Sequence, residues 1–160
     1  LILIYFDGLC EPKNPRGIAT YAYIIKEPSG KKLEEGFGLA AKPFSESSTN
    51  NVAEYAGVVC GLKKGLKYSK DAVVLGDSAL VIKQLKKEYK IRSKKLLPYY
   101  EAANNLIAKY SSLEFKWIPR EENVEADSLT RRAYNLYKQG ILKYKDFFKK
   151  CFFDFLQTYK

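Results

Sequence analysis

The chain opens on Leu1-Ile2-Leu3-Ile4-Tyr5-Phe6, an unbroken apolar run stopped by Asp7. Six residues are too few for a stable helix, and continuous apolarity suits a strand buried at the centre of a sheet. The run lacks a basic flank and a small-residue cleavage site, so it reads as a strand and not as a signal peptide. A second β-rich stretch holds Ile18, Tyr21, Tyr23, Ile24 and Ile25. Glu27-Pro28-Ser29-Gly30 supplies turn chemistry, and Leu33 to Leu39 returns, with Gly36 and Gly38 weakening that strand or admitting a bulge. Three successive antiparallel strands follow from this.

The pattern then changes period. Ser47-Ser48-Thr49-Asn50-Asn51 is a stack of helix-capping residues ahead of Val52, Tyr55, Val59, Leu62 and Leu66 at helical spacing. The spacing predicts a strand at Ala72 to Leu75, a helix over 78–88, another over 93–110 with Pro98 near its first turn, and a strand from Leu113 to Ile118. After Pro119, Asn123 can cap a helix that runs to about Gln139 and stops at Gly140. The order β-β-β-α-β-α-α-β-α predicts an α/β domain over 1–139. Its sheet is five-stranded and mixed, three antiparallel strands and then parallel ones, with helices on both faces. In the tail, 140–160, Ile141, Tyr144, Phe148, Phe152, Phe155 and Tyr159 recur at helical spacing among lysines. Such a segment does not stay in water, and a helix packed on its own domain, a dimer contact and a partner protein all satisfy it.

The absence of histidine excludes whole classes of chemistry: Ser-His-Asp and Cys-His units, and zinc sites that need imidazole. Cys10, Cys60 and Cys151 form no CxxC pair, and support neither a zinc ribbon nor a disulfide framework. No stretch approaches the ~20 apolar residues that cross a bilayer, so a cytoplasmic protein without a membrane partner is expected. The excess of 28 Lys+Arg over 18 Asp+Glu, a formal charge of +10, points to a polyanionic partner.

Against that basic background four acids stand out. Asp7 ends the first strand, Asp77 follows the fourth in Leu75-Gly76-Asp77-Ser78, and Glu54 and Asp127 lie near the starts of two helices. Each alone has a local explanation in turn-making, capping or the helix dipole. Together they can meet at one edge of the sheet, where strand ends and helix starts bind ligands. Converging carboxylates raise one another's pKa unless a cation neutralises them. An all-oxygen set selects hard ions, Mg²⁺ or Mn²⁺, and two such ions sharing an Asp perform in-line phosphoryl displacement.

At four places the sequence resembles type 1 ribonuclease H, in a His-less variant of the archaeal or plant-like kind. The residues are Tyr5-Phe6-Asp7-Gly8, Thr49-Asn50-Asn51-Val52-Ala53-Glu54, Gly76-Asp77-Ser78 and Asn123-Val124-Glu125-Ala126-Asp127, in order across roughly 1–139. The resemblance implies the ribonuclease H-like fold and hydrolysis of the RNA strand of RNA/DNA hybrids, leaving 3′-hydroxyl and 5′-phosphate ends. Double-stranded RNA stays open as a second substrate. Asp7, Glu54, Asp77 and Asp127 would hold two Mg²⁺ ions, or Mn²⁺. Asp7 would bridge them, Asp127 would help hold the ion on the attacking-water side, and Glu54 and Asp77 the one at the leaving oxygen. Thr49, Asn50, Asn51 and Asn14 would meet the nucleic-acid backbone and minor groove. Asparagine both donates and accepts, which suits a 2′-hydroxyl.

Many members carry a loop His before the last Asp. This chain has Lys116-Trp117-Ile118-Pro119-Arg120, which leaves Arg120 as the auxiliary cation, able to position a phosphate but not to shuttle a proton near neutral pH. A basic stretch with tyrosines, including Lys86, Lys87 and Tyr89, is expected to form a groove for the DNA strand. The competing readings are another two-metal nuclease of the same fold, resolvase- or integrase-like, and a non-catalytic nucleic-acid-binding module. A monomer and a tail-mediated dimer are both compatible with the chain.

Overall fold

The computed structural model describes residues 1–148. Its strands are β1 (Ile2–Glu11), β2 (Ile18–Lys26), β3 (Lys32–Leu39), β4 (Asp71–Gly76) and β5 (Ser112–Trp117). The helices are α1 (Asn50–Gly65), α2 (Ala79–Leu85), α3 (Leu97–Ile107) and α4 (Val124–Lys138), with a 3₁₀ turn at Arg120–Glu122. The sheet order is β3-β2-β1-β4-β5. The β1–β2 and β2–β3 pairs are antiparallel, and β1–β4 and β4–β5 are parallel. The opening apolar run is thus the central strand.

Period-2 alternation sorts the two layers. Ile2, Ile4 and Phe6 of β1 and Tyr21, Tyr23 and Ile25 of β2 lie under Val52, Tyr55, Val59 and Leu62 of α1, with α3 also in this layer through Tyr99, Ala103 and Leu106. The opposite face carries Ala22 and Ile24 against Ala126 and Leu129 of α4, and Leu9, Ile18 and Leu39 against Tyr134. Gly36 and Gly38 sit opposite Tyr23 and Tyr21, whose rings fill the space above them: a Cβ at Gly36 would lie 2.5 Å from Tyr23 Cε1. The glycines therefore make room for two tyrosines, and the irregularity in this pair falls instead at Ile25/Lys26.

Several elements differ from the sequence expectation. Asp7 does not end β1. Pairing with β4 stops at Tyr5–Leu75, whereas pairing with β2 continues through Asp7–Ala22 to Glu11–Ile18. The strand keeps one neighbour after losing the other, so Asp7 occupies the gap left where β4 departs. Asp7-Gly8 is accordingly not a turn. Helix α2 stops at Leu85, short of Glu88, because Lys87 takes a left-handed φ of +68°. Helix α3 begins at Leu97, with Pro98 in its first turn.

The tail also departs from expectation. Gly140, at φ +77°, ends α4, and residues 141–146 run as irregular chain where a helix was expected. Leu142 joins the Leu9–Tyr134 cluster on the α4 face, and Phe147 is 2% exposed against Tyr21 and Tyr99 on the α1 face. The segment therefore crosses from one face to the other past the end of β3. Its remainder, with Phe152, Phe155 and Tyr159, lies outside the described residues. Cys60 is disulfide-bonded and Cys10 is a free thiol, so one bridge forms although the cysteine spacing supports no disulfide framework. Wide spacing in sequence places no lower limit on separation in a folded chain. Among the described residues no helix is long and apolar enough to cross a membrane.

Candidate active site

Four elements each deliver one acid to the sheet edge where β4 leaves β1. Thr49, not Asn50 or Asn51, caps α1, its hydroxyl accepting from the Val52 N–H at 3.1 Å. That places Glu54 beyond the first turn, on the buried side of the helix. The approach of α1 to β1 is set by Gly8, where a Cβ would lie 2.3 Å from the Glu54 backbone N and 2.8 Å from Ala53 Cβ. Asp77 follows β4, and Ser78 caps α2 by accepting from the Val81 N–H at 3.3 Å. Asp127 lies in the first turn of α4.

Carboxylate oxygens of Asp7, Glu54 and Asp77 lie within 4.8 Å of one another. The Asp7 carboxyl is within hydrogen-bonding reach of both Glu54 and Asp127. Asp7 is 5% exposed and Glu54 4%. Burial, then the charge of Asp77 and more weakly that of Asp127, push Asp7 up to about 8, against the pull of the Gly8 N–H. Glu54 is raised well above the usual carboxylate range by burial first and then by Asp7 and Asp77. Its Oε2 is buried with no hydrogen-bond partner. A buried carboxylate oxygen without a donor is costly. An orphaned acceptor inside an all-oxygen cluster fits a hard divalent cation, so the residues present match the group expected there.

The cleft holding these acids has a volume of about 470 Å³, and Asn50, Trp117, Arg120 and Arg131 also line it. Asn14 does not line it; its Oδ1 accepts from the Asn50 N–H at 3.1 Å and so ties its loop to the first residue of α1. Thr49 is occupied by capping. Asn51 and the half-exposed Tyr89 share a second cleft, of about 600 Å³, with Lys90 and Arg92. Lys86 and Lys87 line neither cleft. Lys87 instead donates to Tyr100 OH at 2.8 Å and Asn104 Oδ1 at 2.7 Å, so its ammonium is engaged with α3. Tyr99, near them in sequence, is buried and donates to the Ala40 carbonyl.

Three further residues shape the site in ways that their place in the sequence does not show. Asn123 was read as a cap, yet its side chain makes no capping bond. Its Nδ2 donates to the Phe6 carbonyl at 2.9 Å, tying the start of α4 to β1 one residue before Asp7. It is 2% exposed and its Oδ1 lacks a partner. Arg131 donates through both terminal nitrogens to the Glu11 carboxylate. Its position one turn after Asp127 was the available signal. Trp117 Nε1 donates to the Asp77 carbonyl at 3.2 Å and walls the cleft.

A mixed sheet of this order, with acids from its central strand, from two helices and from the turn after β4, defines the ribonuclease H class. The chain belongs to the reverse transcriptase-like family, which matches residues 5–133. It is 29% identical to ribonuclease HI of Halobacterium salinarum over 130 residues, 81% of this chain and 62% of that one. It is 37% identical to bifunctional protein Rv2228c of Mycobacterium tuberculosis over 94 residues, 58% of this chain but only 26% of that longer protein. The solved N-terminal RNase H domain of Rv2228c superposes with a TM-score of 0.78 at 30% identity, covering 87% of this chain and 96% of that one. LC11-RNase H1, solved in complex with an RNA/DNA hybrid, gives 0.74 at 27% identity, covering 84% and 97%.

Proposed function

We propose that the chain is an endoribonuclease that cuts the RNA strand of RNA/DNA hybrids, leaving 3′-hydroxyl and 5′-phosphate ends. The observation that carries this reading is the trio of carboxylates within 4.8 Å, one with an orphaned buried oxygen. Kinship with ribonuclease H enzymes, one of them solved on a hybrid, supplies the substrate class. Asp7, Glu54, Asp77 and Asp127 would hold two divalent ions, Mg²⁺ by preference and Mn²⁺ as a substitute. Bound there, the ions supply Lewis acidity towards water and phosphate.

The protein's own contribution is placement. Asp7 stands between Glu54, Asp77 and Asp127 and is shared by all of them. Asn50, on the cleft wall, can meet a 2′-hydroxyl with either end of its amide, the group that separates RNA from DNA. Arg120 presents a guanidinium group on the cleft wall that suits bidentate contact with a phosphate, while Arg131 is held at the rim by Glu11. Asn51 and Tyr89 extend the contact surface beyond the cut.

The test is a panel of labelled hybrid, duplex DNA and double-stranded RNA, with Mg²⁺ and then Mn²⁺. Cleavage of the hybrid, abolished by chelation and by Asp77→Asn while hybrid binding persists, is the expected result. Cutting of duplex DNA without the hybrid would replace this reading with a resolvase-like one. Binding without any cutting would leave a non-catalytic module.

A further inference from the structure

Away from the acids, at the end of β3, Lys42, Pro43, Phe44, Tyr137, Leu142, Lys143 and Tyr144 line an open groove of about 490 Å³. Two features of it are unusual. Phe44 is 59% exposed and sits at φ +66°, a backbone conformation that a residue with a Cβ rarely adopts. The loop is held in that shape: the Phe44 N–H donates to the Gly17 carbonyl at 2.9 Å, and Ser48 Oγ donates to the same carbonyl at 2.6 Å. A ring is thus held out in water by a fixed backbone. The groove also contains no acid, and among the described residues neither Lys42 nor Lys143 forms an ion pair.

The groove lies at the same end of the sheet as the catalytic cleft. The C-terminal ends of β1 and β3 and the start of β2 all meet there, as the Glu11–Ile18 and Thr20–Leu39 pairs show. The two sites are also connected: Arg16 N–H donates to the Ser48 carbonyl, and Asn14 of the same loop as Arg16 accepts from the N–H of Asn50 at the start of α1. Two strand spacings of about 4.8 Å separate β1 from β3, so a chain leaving the cleft reaches the groove within a few nucleotides.

Asp146 lies close enough to Tyr144 for its charge to act on the phenol, but the lining itself joins flat rings to Lys42 and Lys143, which complements a strand that is anionic along its backbone and has free base faces. We infer that the groove binds an unpaired, single-stranded extension of the nucleic acid whose hybrid portion occupies the catalytic cleft. Bases stack on Phe44 and Tyr144, and phosphates meet Lys42 and Lys143. This rests on the hybrid reading above, but makes a separate claim: hybrids with single-stranded extensions are bound more tightly than blunt ones.

The experiment compares a blunt hybrid with four versions carrying an extension of about five nucleotides at one of the four strand ends. Binding is measured in Ca²⁺ to prevent cutting. At least one extended hybrid should bind about tenfold more tightly than the blunt one. Phe44→Gly, which removes the ring and suits the positive φ, should erase that advantage while leaving blunt binding and cleavage unchanged; Phe44→Trp should retain it. Lys143→Ala should lower the salt slope of the extended complex by about 0.7 and leave that of the blunt complex as it was. Equal affinity for all five substrates overturns the inference. So does an advantage that survives Phe44→Gly, or a concentration-dependent dimer in sedimentation that Phe44→Gly dissolves, which would assign the groove to a second copy of the chain. If the wild type fails to cut even the blunt hybrid, the functional proposal falls first and by a different measurement.

Discussion

Replacing Asp7 by Asn should stabilise the metal-free protein, and by an amount that depends on pH. The Asp7 carboxyl titrates near 3.8 when unfolded and at about 8 in the fold, raised by burial, Asp77 and Asp127. Below the lower value it is neutral in both states and contributes nothing. Between the two, the folded state holds a proton that the unfolded chain has released, so stability falls as pH rises, by about 1.4 kcal/mol per pH unit, and levels off above the upper value. The rise from 3.8 to about 8 sets a ceiling of about 6 kcal/mol on the cost of keeping this carboxylate ionised in the fold. Glu54 is raised in the same direction by the same neighbours, so the acids share one burden and a single substitution relieves only part of it. Taking half of the ceiling, about 3 kcal/mol, and 2–4 °C per kcal/mol for a chain of this size, the Tm gain is roughly 6–12 °C.

The assay is scanning calorimetry of wild type and Asp7→Asn in EDTA from pH 4 to pH 9. The gap should be close to zero at the acid end and widen to a plateau above pH 8. Acids with lowered pKa values, such as Glu11 and Glu125, act in the opposite sense but are common to both proteins and cancel in the difference. Saturating Mg²⁺ should raise the wild-type Tm at pH 8 and barely move the variant, because an ion that binds only the folded state stabilises it by mass action. A variant no more stable than wild type at pH 8 without metal, or a gap that ignores pH, would refute the claim that these carboxylates repel in the fold.

Three further outcomes follow from the geometry. Gly8→Ala would press a methyl against the Glu54 backbone, 2.3 Å away, and should cost about 1–3 kcal/mol in urea unfolding along with most of the hybrid-cutting rate. Asn123→Ala removes the bond to the Phe6 carbonyl, which should cost about 1–3 kcal/mol and raise the Mg²⁺ concentration for half-maximal cleavage about tenfold; a fall in Tm with an unchanged Mg²⁺ requirement would make its role structural only. Arg120→Ala should lower kcat or raise KM for the hybrid several-fold, and unchanged values of both would remove it from the site.

What the sequence made legible was whatever depends on period and punctuation. The β-rich run from Ile18 to Ile25 and the capping residues of the Thr49–Glu54 run point to a strand and a helix because local residue type decides those. Where an element ends depends on its neighbours, and that information is not local. Asp7 looked terminal because the apolar run stops there, but β2 continues to pair with β1 after β4 has left. Asn123 has the residue type and position of a cap, and the competing acceptor, the Phe6 carbonyl, is distant in sequence. Lysines were the hardest to place: Lys87 is drawn onto Tyr100 and Asn104 by contacts that charge counting does not register. The aromatic spacing from Ile141 onward matched a helix, yet 141–146 are irregular because Leu142 and Phe147 are required on opposite faces of the sheet.

The four acids repel, and Glu54, Asp77 and Asp127 are positioned by contacts other than those of their own carboxylates. Glu54 is placed by the Thr49 cap and by the contact of α1 on Gly8, and Asp77 by the Ser78 cap and by Trp117 on its carbonyl. Asp127 depends on Asn123, whose backbone carbonyl accepts from the Asp127 N–H while its side chain is fixed to β1. Glu54 Oε2 is thereby left without a partner inside the cluster, available to another ligand. The basic chain has the cations to neutralise this cluster internally, yet the nearby guanidinium of Arg131 is engaged by Glu11. A lysine or arginine seated among the acids would stabilise the metal-free fold and occupy the ligand positions at the same time. Keeping the cations at the rim preserves the cluster's affinity for a divalent ion and leaves guanidinium groups on the side from which a phosphate approaches. The instability expected of the metal-free protein and its capacity to bind metal therefore have one origin, the shared confinement of Asp7, Glu54, Asp77 and Asp127.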